Sequence, residues 1–222
     1  GNFGSEDGSI SIINQNGDIS SIENIGDTVQ SILVFNDQLF VIVNNSHEIK
    51  VYNISEDGLM LDYELSTNNS SPREMVIIDN KLYFTNWNTK DVKVLNLLSH
   101  DIESLITLEG LPESIISDGE NLFVGIIMNE DYTDASTVVK VNPNTNQVLA
   151  TYEVGDGPTS LLLQDNKIFV ARTFYDTNWN AFHGTTSIDL NSNNTANIVN
   201  YGLGTACGGS IHSFKGSSFR SF

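Results

Sequence analysis

One strand-rich unit is written four times along this chain, at spacings of 43, 40 and 46 residues, and that regularity narrows the possible folds more than any other feature. Val29-Gln30-Ser31-Ile32-Leu33 leads to Gln38-Leu39-Phe40-Val41, and Pro72-Arg73-Glu74-Met75-Val76 leads to Lys81-Leu82-Tyr83-Phe84. The pattern returns as Pro112-Glu113-Ser114-Ile115-Ile116 before Asn121-Leu122-Phe123-Val124, and as Pro158-Thr159-Ser160-Leu161-Leu162 before Lys167-Ile168-Phe169-Val170. A unit of this length holds several short strands but cannot bury both faces of its own small sheet. Neighbouring units must therefore stack, which is the logic of a radial repeat. The expected fold is all-β: a β-propeller of four-stranded antiparallel blades, forming a single domain over residues 1–222.

Each unit parses into the strands of one blade. The first apolar run ends at a turn, Asn36-Asp37, Asp79-Asn80, Asp118-Gly119 or Asp165-Asn166, built from residues that tolerate positive φ. A loop of variable length then leads to an alternating stretch such as Glu48–Asn53, Asp91–Asn96, Thr137–Asn142 or Thr185–Leu190, the period-two mark of a third strand. A polar turn, clearest at Asn142-Pro143-Asn144-Thr145-Asn146, feeds an outer fourth strand such as Gln147–Val154. The ends carry half-units. Gly8–Asn14 and Ile19–Ile22 read as third and fourth strands, and Gly209–Phe214 and Ser218–Phe222 as first and second strands. Together they make one further blade, so the expectation is a closed ring of about five blades in which Ile10–Ile13 pairs with Phe219–Phe222. The alternative is a fragment of a ring of about seven.

Charge decides which partners are excluded. Twenty-eight Asp and Glu against 10 Lys and Arg give a formal charge of −18, which repels phosphate backbones and anionic membranes, so nucleic acid is not an expected partner. No run approaches the roughly 18 apolar residues of a membrane-spanning helix. The single Cys207 cannot form an internal disulfide, and four scattered histidines offer no zinc spacing. No cofactor is expected, with calcium held open at Asn129–Asp134, which concentrates three carboxylates, and at Asp176-Thr177-Asn178. Asn-x-Ser/Thr triplets start at Asn44, Asn53, Asn68, Asn69 and Asn193, and read first as turn residues in an Asn-rich chain.

The candidate site follows from topology. Loops between second and third strands, and between one blade and the next, emerge on one face around the channel. In the fourth full unit this loop reads as long and aromatic, Arg172 to Gly184, with Phe174, Tyr175, Trp179 and His183 in it. Aromatic faces suit sugars and protein hot spots. Trp87, Arg73 and Glu74 are expected near the same rim. The arginines stand near ends of inner strands, where they either bind an anion or pair with acids such as Glu74 or Glu113 to lock blades together.

Gly1-Asn2-Phe3-Gly4-Ser5, the Thr85-Asn86-Trp87 strand ending, Tyr83-Phe84-Thr85-Asn86, and Val141–Val148 running on through Val154–Ser160 resemble the YncE-like, YVTN-type propellers of bacterial surface-layer proteins and lipoproteins. The resemblance implies an extracellular, cell-surface or periplasmic protein, with any leader removed ahead of Gly1, that binds or scaffolds rather than catalyses. Members usually have about seven blades, and Tyr83-Phe84-Thr85-Asn86 only approximates the family's Tyr-Val-Thr-Asn. The expected function is a non-enzymatic module for a protein or glycan partner. The alternatives are a propeller lyase with His183 or His212 as base, a glycoside hydrolase with Glu74 and Glu113 as paired acids, and a self-associating surface-layer or filament subunit.

Overall fold

Where the chain alternates between apolar runs and turns of Asn, Asp or Gly, the structure alternates between strands and hairpins. The computed structural model describes residues 3–192, 194–204 and 209–220, and every regular element in them is a strand. Among the described residues no helix is long and apolar enough to cross a membrane. A hairpin of β1 (Ile10–Ile13) and β2 (Ile19–Ile22) comes first. The first full blade holds β3 (Val29–Phe35), β4 (Gln38–Val43), β5 (Glu48–Ser55) and β6 (Gly58–Ser66). The second holds β7 (Pro72–Ile78), β8 (Lys81–Asn86), β9 (Asp91–Asn96) and β10 (Ile102–Thr107). The third holds β11 (Leu111–Ser117), β12 (Leu122–Met128), β13 (Asp134–Asn142) and β14 (Gln147–Glu153). The fourth holds β15 (Pro158–Gln164), β16 (Lys167–Tyr175), β17 (Ala181–Asp189) and β18 (Asn194–Leu203), and a last hairpin pairs β19 (Ile211–Phe214) with β20 (Ser217–Arg220).

The result is an antiparallel propeller of about five blades. Its first hairpin turns take the conformation their residues favour, with φ of 53° at Asn36, 52° at Asp79 and 51° at Asp165.

Second strands are apolar on both faces because each lies between two sheets. On β4, Leu39, Val41 and Val43 face the N-terminal hairpin and pack with Ile10 and Ile25, whereas Phe40 and Ile42 face the second blade and meet Met75, Leu82 and Phe84. On β8, Tyr83 points the other way, toward Leu122, Val124 and Ile126 of the third blade. On β12, Phe123 joins Leu161, Ile168 and Val170 of the fourth. Full burial of each such side chain stabilises the fold by about 1.5–3 kcal/mol. Polar side chains add joints between blades. The Asn44 amide donates to the Pro72 carbonyl at 2.7 Å, and the Thr85 hydroxyl donates to the Glu113 carbonyl at 2.7 Å.

The terminal hairpins depart from expectation. β1–β2 and β19–β20 are separate two-stranded sheets among the described residues, so Ile10–Ile13 does not pair with the β20 segment; Ser221 and Phe222 lie outside the description. Each hairpin is held by the adjacent full blade instead. Ile10 is packed under β4, and the Ile211 amide donates to the Ser160 hydroxyl while the Gln164 amide donates to the Gly216 carbonyl. Cys207 and Asn193 also lie outside the described residues.

Phe84 is fully buried between the first two blades. Phe84→Ala is therefore expected to cost about 3–5 kcal/mol, read from the midpoint of urea unfolding; a loss below about 1 kcal/mol would mean that these two blades do not pack as described.

Candidate functional site

The chemistry converges where every inner strand begins. In each full blade the ladder between first and second strands carries a register shift there: between Val29 and Ser31, Pro72 and Met75, Pro112 and Ile115, and Pro158 and Ser160. A bulge adds residues on one strand without partners on the other, bending the chain and re-aiming side chains. Proline fits at this point in three of the repeats, as the first residue of β7 and β15 and at the bulge of β11, places where a missing N–H costs the ladder least. The bulged residues include Gln30, Arg73, Glu74, Glu113, Ser114 and Thr159. Apart from Ser114 they line one cavity of about 440 Å³ at the channel face, together with Ser160, Gly209 and Ser210 and, from the ends of other strands, Met128, Asp134, Thr173 and Tyr175. A smaller cavity of about 240 Å³ shares Glu74, Glu113, Thr159 and Ser160 with it and adds Ser114.

Arg73 is fixed from two sides. Its Nε and Nη2 donate to the two oxygens of Glu113, both at 2.8 Å, and its guanidinium carbon lies 4.3 Å from the centroid of the Trp87 ring. The pair joins the second blade to the third, as the blade-locking reading of the arginines requires. Glu74 is in a different state. Burial pushes its carboxyl above the ordinary range; the Met75 amide, donating to Oε1 at 3.0 Å, opposes this, and the Glu113 carboxylate adds to the rise. Asp134 is also pushed up, first by burial and further by Asp156, although the Tyr175 amide donates to its Oδ2 at 2.9 Å. Neither Glu74 nor Asp134 has an ion-pair partner among the described residues.

The aromatic loop of the fourth blade proves to be a hairpin. Residues 172–175 continue β16 and 181–184 begin β17, with Thr173 opposite His183, Phe174 opposite Phe182 and Tyr175 opposite Ala181. Only Asp176–Asn180 forms a loop, and the Asp176 carboxylate closes it by accepting the amides of Asn178 and Asn180, both at 2.9 Å. This pairing carries three of the proposed site residues into the blade. Arg172 is 2 % exposed and donates from Nη2 to the Val199 carbonyl at 3.1 Å and to the Asn200 side chain, tying β16 to β18. It fits because positions 155 and 184 are glycine; a Cβ at either would overlap the guanidinium. His183 is 1 % exposed, with Nδ1 3.1 Å from the Thr173 hydroxyl and its ring against Gly204. Phe174 stacks on Phe182 at 5.7 Å. None of the three lines the cavity, so the site keeps Arg73, Glu74 and Tyr175, with Trp87 beneath Arg73 and Trp179 at the tip, 80 % exposed and 6.3 Å from the Tyr175 ring. His212 is exposed, its Nε2 2.7 Å from the Ser210 hydroxyl.

The carboxylates of the two segments held open for calcium are engaged by protein donors. Asp131 accepts the Thr133 amide at 3.1 Å and its hydroxyl at 2.6 Å, Asp134 takes the Tyr175 amide, and Asp176 closes its own turn. Among the described residues no three His, Cys, Asp or Glu side chains stand together as metal ligands.

With this geometry in place, comparison with known proteins speaks to fold. No family model and no curated protein matches the sequence. Solved structures do match. The WD40 domain of Toxoplasma gondii coronin superposes with a TM-score of 0.66 at 12% identity, covering 93% of this chain and 56% of that one. The computationally designed Ika8 protein gives 0.66 at 13% identity over 98% of this chain and 63% of its own, and Kuenenia stuttgartiensis hydrazine synthase 0.62 at 14% over 75% and 46%. The chain thus spans about half to two-thirds of these structures, and at such identities the likeness establishes the β-propeller fold alone.

Glu74 yields a pH signature. Its folded pKa lies above its unfolded one, so its contribution to stability is complete below the ordinary glutamate value of about 4.3 and is lost as pH rises through the folded value. Glu74→Gln, which keeps an acceptor for the Met75 amide, is expected to unfold at higher urea than the parent at pH 7, with the advantage vanishing near pH 4. A pH-independent difference would contradict the burial-raised proton affinity of Glu74.

Proposed function

We propose that this chain is a non-catalytic binding module of the exported, YVTN-type kind, and that it takes a basic segment of a protein partner into the mouth of its channel. One observation carries the reading: the bulged inner strands gather Arg73, Glu74 and Glu113 around a cavity in which Arg73 is occupied by Glu113, while Glu74 and Asp134 have no ion-pair partner among the described residues. A lysine or arginine entering there would meet carboxylates whose burial strengthens Coulomb attraction. Tyr175 at the wall and exposed Trp179 beyond it add the aromatic contact area that dominates binding hot spots. The chain's formal charge of −18 favours approach of a basic partner. The extracellular or periplasmic setting rests on the resemblance of Tyr83-Phe84-Thr85-Asn86 and Val154–Ser160 to surface-layer propellers.

A second reading, a glycoside hydrolase, is favoured by the contrast between a Glu113 held by Arg73 and a Glu74 biased toward its protonated form, the division of roles that acid–base pairs need. Turnover of aryl glycosides that Glu74→Gln abolishes would establish that reading in place of the first.

The binding proposal is tested with an array of synthetic peptides carrying Lys or Arg beside an aromatic residue. Peptides retained by the parent are expected to bind roughly tenfold or more weakly to Trp179→Ala and Tyr175→Ala, as loss of a hot-spot aromatic implies. Absence of any basic-peptide binding, or binding indifferent to both substitutions, would sink the proposal.

A further inference from the structure

The face opposite the channel mouth carries a second cleft. In an antiparallel blade, the turn joining first to second strand and the turn joining third to fourth lie at the same end. Between the second and third blades, four such turns surround a cavity of about 550 Å³, a volume suited to a small ligand. Its lining includes Lys81, Tyr83, Asn96, Leu98 and Asn142, with Asp79 and Glu120 beside them.

Tyr83 is the telling residue. It is 2 % exposed, with its ring packed among Leu122, Val124 and Ile126, and yet its hydroxyl has no hydrogen-bond partner among the described residues. The hydroxyl end opens to the cavity rather than being sealed in the core, so it presents a donor to whatever occupies the cleft. The hydroxyl stays protonated: burial pushes its pKa up, and the Asp79 carboxylate adds to this, so it is available as a donor.

Two further donors stand nearby. The Asn96 side-chain oxygen is engaged by the amides of Leu98 and Ser99, and that of Asn142 by the amides of Asn144 and Thr145. Those bonds fix both side chains, and each Nδ2 is left with nothing to donate to among the described residues. The Lys81 ammonium likewise forms no ion pair among the described residues. Acceptors come from Asp79 and Glu120. An apolar ledge comes from Leu98, which is 78 % exposed.

We infer that this cleft is a binding site for a neutral carbohydrate, with the Tyr83 hydroxyl and the Asn96 and Asn142 amides donating to sugar oxygens, Asp79 and Glu120 accepting from sugar hydroxyls, and Leu98 meeting a C–H face. One ammonium against two carboxylates disfavours a phosphate or other anion. Interleaved neutral donors and acceptors, already rigid before any ligand arrives, match vicinal hydroxyls, which both give and take hydrogen bonds. The site lies on the other end of the strands from the proposed peptide site, and the two stand or fall separately.

The test is an array of neutral and anionic oligosaccharides of defined composition, followed by calorimetric titration of whatever is retained. The intact chain is expected to retain neutral oligosaccharides. Tyr83→Phe, which keeps the ring in the core, and Asn142→Asp, which keeps the acceptor that holds its turn, should each weaken that binding about tenfold. Trp179→Ala should leave it unchanged, and the urea midpoints of the cleft variants separate lost contact from lost fold. The inference is overturned if no neutral sugar binds at millimolar concentration, if only anionic sugars bind, or if binding survives both cleft substitutions in folded protein.

Discussion

Face-to-face packing of consecutive sheets is the constraint on which everything else in this protein rests. A four-stranded sheet of about forty residues has no interior. Its apolar side chains leave water only when a neighbouring blade covers them, so each second strand divides its residues between two neighbours. Phe40 and Ile42 face one way and Leu39, Val41 and Val43 the other, and Tyr83 and Phe84 divide likewise. Stability is thereby shared across interfaces rather than lodged in a single blade. The Asn44 and Thr85 hydrogen bonds to the next blade then set how neighbouring sheets are placed, since a buried donor has few ways to be satisfied.

That packing also explains why chemistry gathers where it does. Once the blades are fixed, their inner strands converge on the channel, and the bulge at the start of each strand turns side chains away from the ladder and toward the shared cavity. The repeat supplies the same backbone at each position, and substitutions within it supply diversity: Gln30, Arg73, Glu113 and Thr159 occupy equivalent places. The Arg73–Glu113 pair serves both as a joint between blades and as part of the cavity wall. Glu74, one residue along, meets a drier environment and a higher proton affinity.

Much of this was legible beforehand. The strands, the left-handed turns at Asn36, Asp79 and Asp165, and the grouping into blades follow from apolar runs, period-two alternation and turn chemistry, all local properties. Arg73, Glu74 and Tyr175 were legible as channel-face residues because they stand at strand ends. Thr159, Ser160 and Ser210 carry no catalytic look, and only alignment of the repeats, which sets them in columns with Arg73 and Glu74, signals their place. The stretch holding Arg172, Phe174 and His183 reads as loop because it is polar and aromatic, whereas cross-strand pairing and small residues at 155, 184 and 204 allowed β16 and β17 to run on, burying Arg172 and His183 and half-burying Phe174.

The sequence by itself determined the secondary structure, the repeat and the all-β architecture, because each depends on neighbours within a few residues and on one short period. Only the tertiary structure decided which polar groups face one another. Glu113 meets Arg73 across 40 residues, Tyr175 meets Asp134 across 41, and the terminal hairpins settle on adjacent blades rather than on each other. Those outcomes depend on how sheets stack in space. Burial and charge at a site are sums over groups far apart in the chain, and no local pattern encodes them.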